Sequence, residues 1–310
     1  VRILFITSTR LGDAVLSTGL LDHLLRTHPE ARITIACGPI AEGLFARMPN
    51  RERTIVMVKR GLARHWRDLW LATAFRRWDL VVDLRGSAFA WTVPARRRAI
   101  KRGGRRPGHR ILHIAETLGV TPAPRPVAWF APEDAAAVAP LLPGGRLLVL
   151  GPTASGCGKI WPAERFVQLA QALTAPGGVL AGATVAVLGG PGAQEREMAA
   201  PLLAALPGAL DLVGRLASLA EVAAVLSRAA LYVGNDSGLM HLAAACGAPT
   251  LGLFGPTLAS EYAPVGPRAR AVLAKGPPGA TPMHRLGVAQ AVQAAEALLV
   301  PAPEPAKDPA

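Results

Sequence analysis

Short apolar runs alternate with amphipathic stretches along nearly the whole chain, and few architectures accept that rhythm. Residues 2–7, 31–37, 53–58 and 79–83 read as buried strands. Helical spacing falls between them, near 14–26, 38–48 and 64–77. Near-continuous apolar strands joined by helices predict a parallel sheet covered on both faces. A second series follows the segment APEDAAAVAPLLPGG at 131–145, with strands predicted at 146–150, 183–188, 230–234 and 249–253. Phe166, Leu169, Ala170 and Leu173 sit at helical spacing, as do Leu219, Val222, Ala223 and Leu226. The Pro/Gly-rich stretch 140–145 divides the chain into an α/β half at 1–140 and another at 141–298. The tail 299–310, rich in Pro and Ala, is expected to be disordered. Ligands of such sheets bind outside the carboxyl ends of the strands, so two halves predict a site in the cleft between those edges.

Composition narrows the class further. Hydrophobic residues make up 51% and charged residues 18%, enough for a buried core and against global disorder. No apolar run approaches the roughly 18 residues of a membrane span. The opening VRILFITSTRLGDA turns polar too early for a secretory signal and reads as a first strand. Cys37, Cys157 and Cys246 are isolated, with neither metal-ligand spacing nor a disulfide framework, so a cytosolic setting is expected. The net charge is +13, and residues 96–110, RRRAIKRGGRRPGHR, hold eight Lys or Arg and no acid. Such a block either seeks an anionic partner or lies solvated.

Four turns at predicted strand ends hold the chemistry. The first strand runs into TSTRLGDA, where Asp13 stands near a helix start that presents unpaired N–H groups and partial positive charge. Asp13 is there either as a reacting base or as an N-cap. The loop GPTASGCGK ends in Lys159, a point charge for a phosphate or an exposed surface lysine. It is not a Walker loop: no Gly stands five residues before Gly158, and Ile160 follows the lysine. Gly190-x-Gly192-x-x-Glu195 is a dinucleotide fingerprint lacking its third glycine; Glu195 or Glu197 serves a ribose, or both face solvent. The turn Gly-Asn-Asp-Ser-Gly places Asp236, Ser237 and Gly238 at a helix start suited to a pyrophosphate. His241, one turn on, is a ligand-facing or a packing histidine. Ser237 lacks a nucleophile elbow. No Asp-x-Asp pair follows a strand, so no catalytic metal is expected.

The segments RLGDAVLST, GKIWPAERFVQLAQAL and GRLASLAEVAAVLSRAALYVGNDSGLMHLAAACGAPTLGLFGPT resemble the bacterial lipopolysaccharide heptosyltransferases, glycosyltransferase family 9, over nearly the whole chain. The closing MHRLGVAQAVQAAEALL fits too, whereas 275–282 reads KGPPGATP where many members have a cysteine-containing stretch. The resemblance implies a GT-B fold of two Rossmann-like domains, acceptor bound by the first and nucleotide sugar by the second. The implied donor is ADP-heptose, with no further cofactor. It implies Asp13 as catalytic base, Lys159 as the donor-phosphate lysine and Glu195 as the ribose acid. It also implies Asp236 at the donor sugar, Ser237 and Gly238 at the phosphates, and His241 beside them. Arg98, Lys101 and Arg102 of the basic block are then acceptor-binding candidates for an anionic lipid-linked saccharide. That acceptor implies a cytoplasmic enzyme with peripheral contact to the inner membrane.

Other classes fit less well. A dinucleotide dehydrogenase needs a complete glycine fingerprint. A GT-B epimerase, or a transferase using another nucleotide sugar, shares the fold. A nucleic-acid binder would use the basic block, but aromatics are only 5% and no nucleic-acid motif is present, so no such partner is expected.

Overall fold

The computed structural model describes residues 1–299 apart from Arg60, Leu62, Ala63, Arg105 and the Cys157 side chain. The predicted tail lies, Leu299 excepted, outside the described residues.

The first half forms a five-stranded sheet from β1 (Arg2–Ile6), β2 (Arg32–Cys37), β3 (Arg51–Val56), β4 (Trp78–Asp83) and β5 (Ala95–Ile100), in the order β3-β2-β1-β4-β5. Helices α1 (Leu11–Thr27), α2 (Pro39–Glu42) and α3 (Arg64–Thr73) connect its strands, and α4 (Arg110–Ala115) and α5 (Pro132–Val138) follow it. The second half has six strands: β6 (Leu147–Gly151), β7 (Thr184–Val187), β8 (Leu210–Asp211), β9 (Leu231–Asn235), β10 (Thr250–Phe254) and β11 (Ala269–Leu273). Their order is β11-β10-β9-β6-β7-β8. Its helices are α6 (Ala163–Thr174), α7 (Ala193–Ala205), α8 (Leu219–Ser227), α9 (Gly238–Ala245), α10 (Ala259–Tyr262) and α11 (Val288–Leu299).

Every strand pair is parallel. Counted within its own half, each sheet has the doubly wound order 3-2-1-4-5, extended by one strand in the second. The chain reverses its winding direction between β1 and β4 and again between β6 and β9. A crevice opens at such a switch point because the flanking connections leave on opposite faces. Asp13 in the first turn of α1, Asp83 at the end of β4, Lys159 after β6 and Asp236 after β9 all lie at these carboxyl ends.

The eight strands read from the sequence are present within one or two residues at each end. Three more are not obvious from the pattern. β5 lies within the basic block, β8 has two residues, and β11 (ARAVL) is half polar. All three are edge or near-edge strands, where hydrophobic demand is least. The helix predicted over 38–48 is shorter, α2 followed by a 3-10 turn at Gly43–Phe45.

Three apolar layers hold the molecule. Ile3, Phe5 and Leu80 from one sheet, and Leu147, Val149 and Tyr232 from the other, share one core with α1, α8 and α9. Alternate residues Leu148 and Leu150 point the opposite way, into a core with α6, α7 and α11. Leu4, Ile6 and Val81 point into a smaller layer under α3 and the turn at 88–93. Burying each such side chain stabilises the fold by about 1.5–3 kcal/mol. The two sheets thus share their middle layer, which holds the facing strand ends in a fixed relation.

Candidate active site

The first helix tip is built by the end of β1. Arg10 occupies the N-cap position of α1 with extended backbone, and its N–H donates to Ser8 Oγ at 3.1 Å. Asp13 is therefore a first-turn residue, and its reading as the cap is not met. Its half-buried carboxylate accepts from Ser8 Oγ at 3.4 Å. It stands in the first turn of α1, at the positive end of that helix.

The second tip is that of α9. Ser237 is its N-cap residue, but the hydroxyl makes no capping bond. The two tips meet. A Cβ added at Gly12 would lie 3.1 Å from His241 Cδ2 and 3.6 Å from Gly238 Cα. A Cβ at Gly238 would come within 2.9 Å of the Leu11 side chain. Glycine at both positions is what allows α1 and α9 to approach this closely. Asp13 and the 236–238 turn therefore border one crevice.

Lys159 is fixed by the same turn. Its Nζ donates to Asp236 Oδ2 at 2.7 Å, with the lysine half-buried and the aspartate buried. Asn235 sets the loop that presents it. The buried Asn235 amide donates to Pro152 O at 2.7 Å and accepts from Trp161 N at 3.0 Å, clamping both ends of 152–161 to β9. Trp161 is buried, with Nε1 donating to Leu286 O at 2.9 Å. Sequence reading passed over Asn235, because its partners lie about eighty positions away.

Glu195 and Glu197 separate cleanly. Glu195 turns back over the glycine loop and accepts from the Gly190 N–H at 3.1 Å, whereas Glu197 is exposed. The Tyr232 ring lies over Gly151 and Gly234, where an added Cβ would meet its hydroxyl at 2.0 and 2.5 Å. That hydroxyl approaches Ser237 Oγ without hydrogen-bond geometry. Burial raises the tyrosine pKa far above its ordinary value, so the phenol stays protonated.

His241 is buried, and desolvation lowers its pKa to about 4 against the attraction of Asp236. It is a neutral imidazole at pH 7. Its Nδ1 and the Thr257 Oγ1 are buried with no hydrogen-bond partner among the described residues. Leaving such a group unpaired costs about 1–3 kcal/mol. His109 completes the surround: its Nε2 donates to Ala263 O at 2.9 Å, and burial lowers its pKa. Next to it, Arg110 reaches from the first half to Glu261 Oε2 at 2.9 Å and the Tyr262 hydroxyl at 3.0 Å.

The acceptor-side candidates lie apart from one another. Arg98 donates to the carbonyls of Ala90, Val93 and Ala95 at 2.8, 2.9 and 3.1 Å, bracing its own loop. Lys101 is half-buried and Arg102 exposed, just past the carboxyl end of β5. Asp83 organises this edge instead: it accepts from the N–H groups of Arg85 and Ser87 at 2.9 and 3.0 Å and from Ser87 Oγ at 2.5 Å. Among the described residues, no three His, Cys, Asp or Glu side chains gather as a metal site. Burial pushes the Cys37 thiol up to about 12, which makes it inert at neutral pH.

Two doubly wound halves with facing carboxyl edges and abutting helix tips define the GT-B class of glycosyltransferase. The family model for glycosyltransferase family 9 (heptosyltransferase) matches residues 109–285, and the chain belongs to that family. Lipopolysaccharide heptosyltransferase 1 of Pseudomonas aeruginosa is 29% identical over 293 residues, 83% of this chain and 79% of the relative. The structure of E. coli ADP-heptose LPS heptosyltransferase II superposes over 96% of this chain and 98% of its own, with TM-score 0.77 and 22% identity. E. coli heptosyltransferase WaaC with ADP covers 96% of this chain and 100% of its own, with TM-score 0.72 and 21% identity. Both superpositions extend through the two halves and establish the fold. Among the described residues, no helix is long and apolar enough to cross a membrane.

Proposed function

We propose that this glycosyltransferase moves a heptose from ADP-heptose to a hydroxyl of a lipopolysaccharide-core-type acceptor, by one inverting displacement. The observation that supports it most is the abutment of the α1 and α9 tips, where Gly12 meets His241 and Gly238 meets Leu11.

Asp13 takes the acceptor proton as the hydroxyl oxygen attacks the anomeric carbon. A carboxylate within hydrogen-bond reach of the attacking hydroxyl serves as general base. The bond from that carbon to the diphosphate oxygen breaks, and the nucleotide leaves with the electron pair. Lys159 and the α9 amides stabilise the growing negative charge. The ammonium has three donors, and its bond to Asp236 leaves two for phosphate oxygens. Glu195 serves the ribose, Asp236 the heptose hydroxyls, and Ser237, Gly238 and the neutral His241 the diphosphate side. The reaction requires no metal ion. Lys101 and Arg102, at the acceptor-side rim, meet the anionic groups of a lipid-linked saccharide, with the enzyme held peripherally at the cytoplasmic face of the inner membrane.

The test is a thermal-shift panel with ADP-, GDP- and UDP-sugars, followed by transfer to a lipid-linked core saccharide. Stabilisation by the ADP-sugar above the others, with acceptor-dependent nucleotide release, is the expected result. Conversion of donor without acceptor would instead identify an epimerase.

A further inference from the structure

The face of the first sheet turned away from the second half has a thin cover, α3 and the turn at 88–93. The outside of that cover is aromatic. Phe75 is 83% exposed, Trp91 69%, Leu71 52% and Trp70 38%. These side chains form one patch. Trp70 Nε1 donates to Thr92 O at 3.1 Å, and its ring lies 5.9 Å from that of Phe75. A groove of about 470 Å³ beside them is lined by Trp66, Trp70, Phe89 and Thr92. Single exposed apolar side chains are ordinary, whereas a contiguous aromatic patch marks an interaction surface.

The charge around the patch identifies its partner. The Arg85 guanidinium lies 4.8 Å over the Trp66 ring, and Arg67 lines the groove. Arg96 is exposed on the edge strand β5, just beyond Trp91 and on the same face as Arg98, whose guanidinium lies 5.3 Å over the Trp91 ring. Tryptophan flanked by arginine suits the headgroup zone of a bilayer, where the ring is half in hydrocarbon and the cation meets lipid phosphate. A second copy of the chain fits less well, since a twofold contact would press this cationic rim against itself.

We propose that α3 and the Trp91 turn form a docking surface for an anionic lipid bilayer. The proposal rests on the reading of the acceptor as lipid-linked and adds the surface that brings the enzyme to it. It is tested by flotation with phosphatidylcholine vesicles, with and without phosphatidylglycerol, at low and high salt. The full chain is expected to float with the anionic vesicles, and less so at high salt. Phe75→Ser with Trp91→Ser should lower the bound fraction at least about tenfold at either salt. Arg67→Glu with Arg96→Glu should lower it mainly at low salt. Both pairs are exposed and lie outside the nucleotide crevice, so the thermal shift given by an ADP-sugar should persist in both. Wild-type binding by both variants, or no binding by the native chain, overturns the proposal. So does size-exclusion chromatography in which the Ser pair converts a native dimer to monomer. Vesicle binding without nucleotide binding would leave this surface standing and remove the donor reading instead.

Discussion

Gly12 packs directly on His241: a methyl group at Gly12 would lie 3.1 Å from the imidazole Cδ2. One residue comes from the first helix of the first half, the other from the first turn of α9 in the second half. Their contact joins the start of α1, which carries Asp13, to the turn at 236–238, and four expectations follow from it.

Asp13→Ala should reduce turnover by about 10²–10⁴-fold, the usual contribution of a positioned base. The side chain is half-buried and bonds only weakly to Ser8, so the fold and donor binding should persist. Initial-rate measurements beside an ADP-sugar thermal shift check this. Near-normal turnover would remove Asp13 from the role.

Lys159→Met should weaken a nucleoside diphosphate about ten- to a hundredfold, the range for a lost hydrogen bond to a charged group. Binding of the bare nucleoside should be unchanged. Equal weakening of both, measured by calorimetry, would mean the lysine acts only by holding Asp236 in place.

Gly238→Ala tests the abutment itself. The new Cβ would come within 2.9 Å of Leu11 Cβ, Cγ and Cδ2. Overpacking of this kind costs about 1–3 kcal/mol. Adding Leu11→Ala should recover part of that loss, whereas strictly additive losses in urea melts would show that the two residues are not coupled.

Acid should weaken the fold through His241. Its folded pKa of about 4 lies below that of the unfolded chain, because burial disfavours the cation. The unfolded state therefore takes up a proton first. Stability present above pH ~6.5 should decline as pH falls toward 4, by about 3 kcal/mol in total. Burial dominates the effect, Asp236 opposes it, and His109 and Lys159 add to it. Urea midpoints for the native chain and His241→Gln across pH 4–7 measure it. Identical slopes would assign the loss to other groups.

Much of this was legible in the sequence, for a physical reason. Runs such as LLVLG and LYVGN can only be central strands of a covered parallel sheet. The small residues after them announce turns where backbone approaches a ligand. Asp13, Lys159, Asp236 and Ser237 were visible because each sits beside such a turn. The edge strands were not, since β5 and β11 bury too little to leave an apolar signature.

Local pattern by itself determined the two parallel halves and the turns where chemistry could occur, because strand burial and helix starts depend on near neighbours along the chain. Only the tertiary structure decided which turns face each other. It turned Glu195 back over the glycine loop and left Glu197 exposed, set Arg98 to brace its own loop, and enlisted Asn235, Tyr232 and Arg110, whose partners are distant in sequence. Long-range packing fixes those choices, and no short-range spacing encodes it.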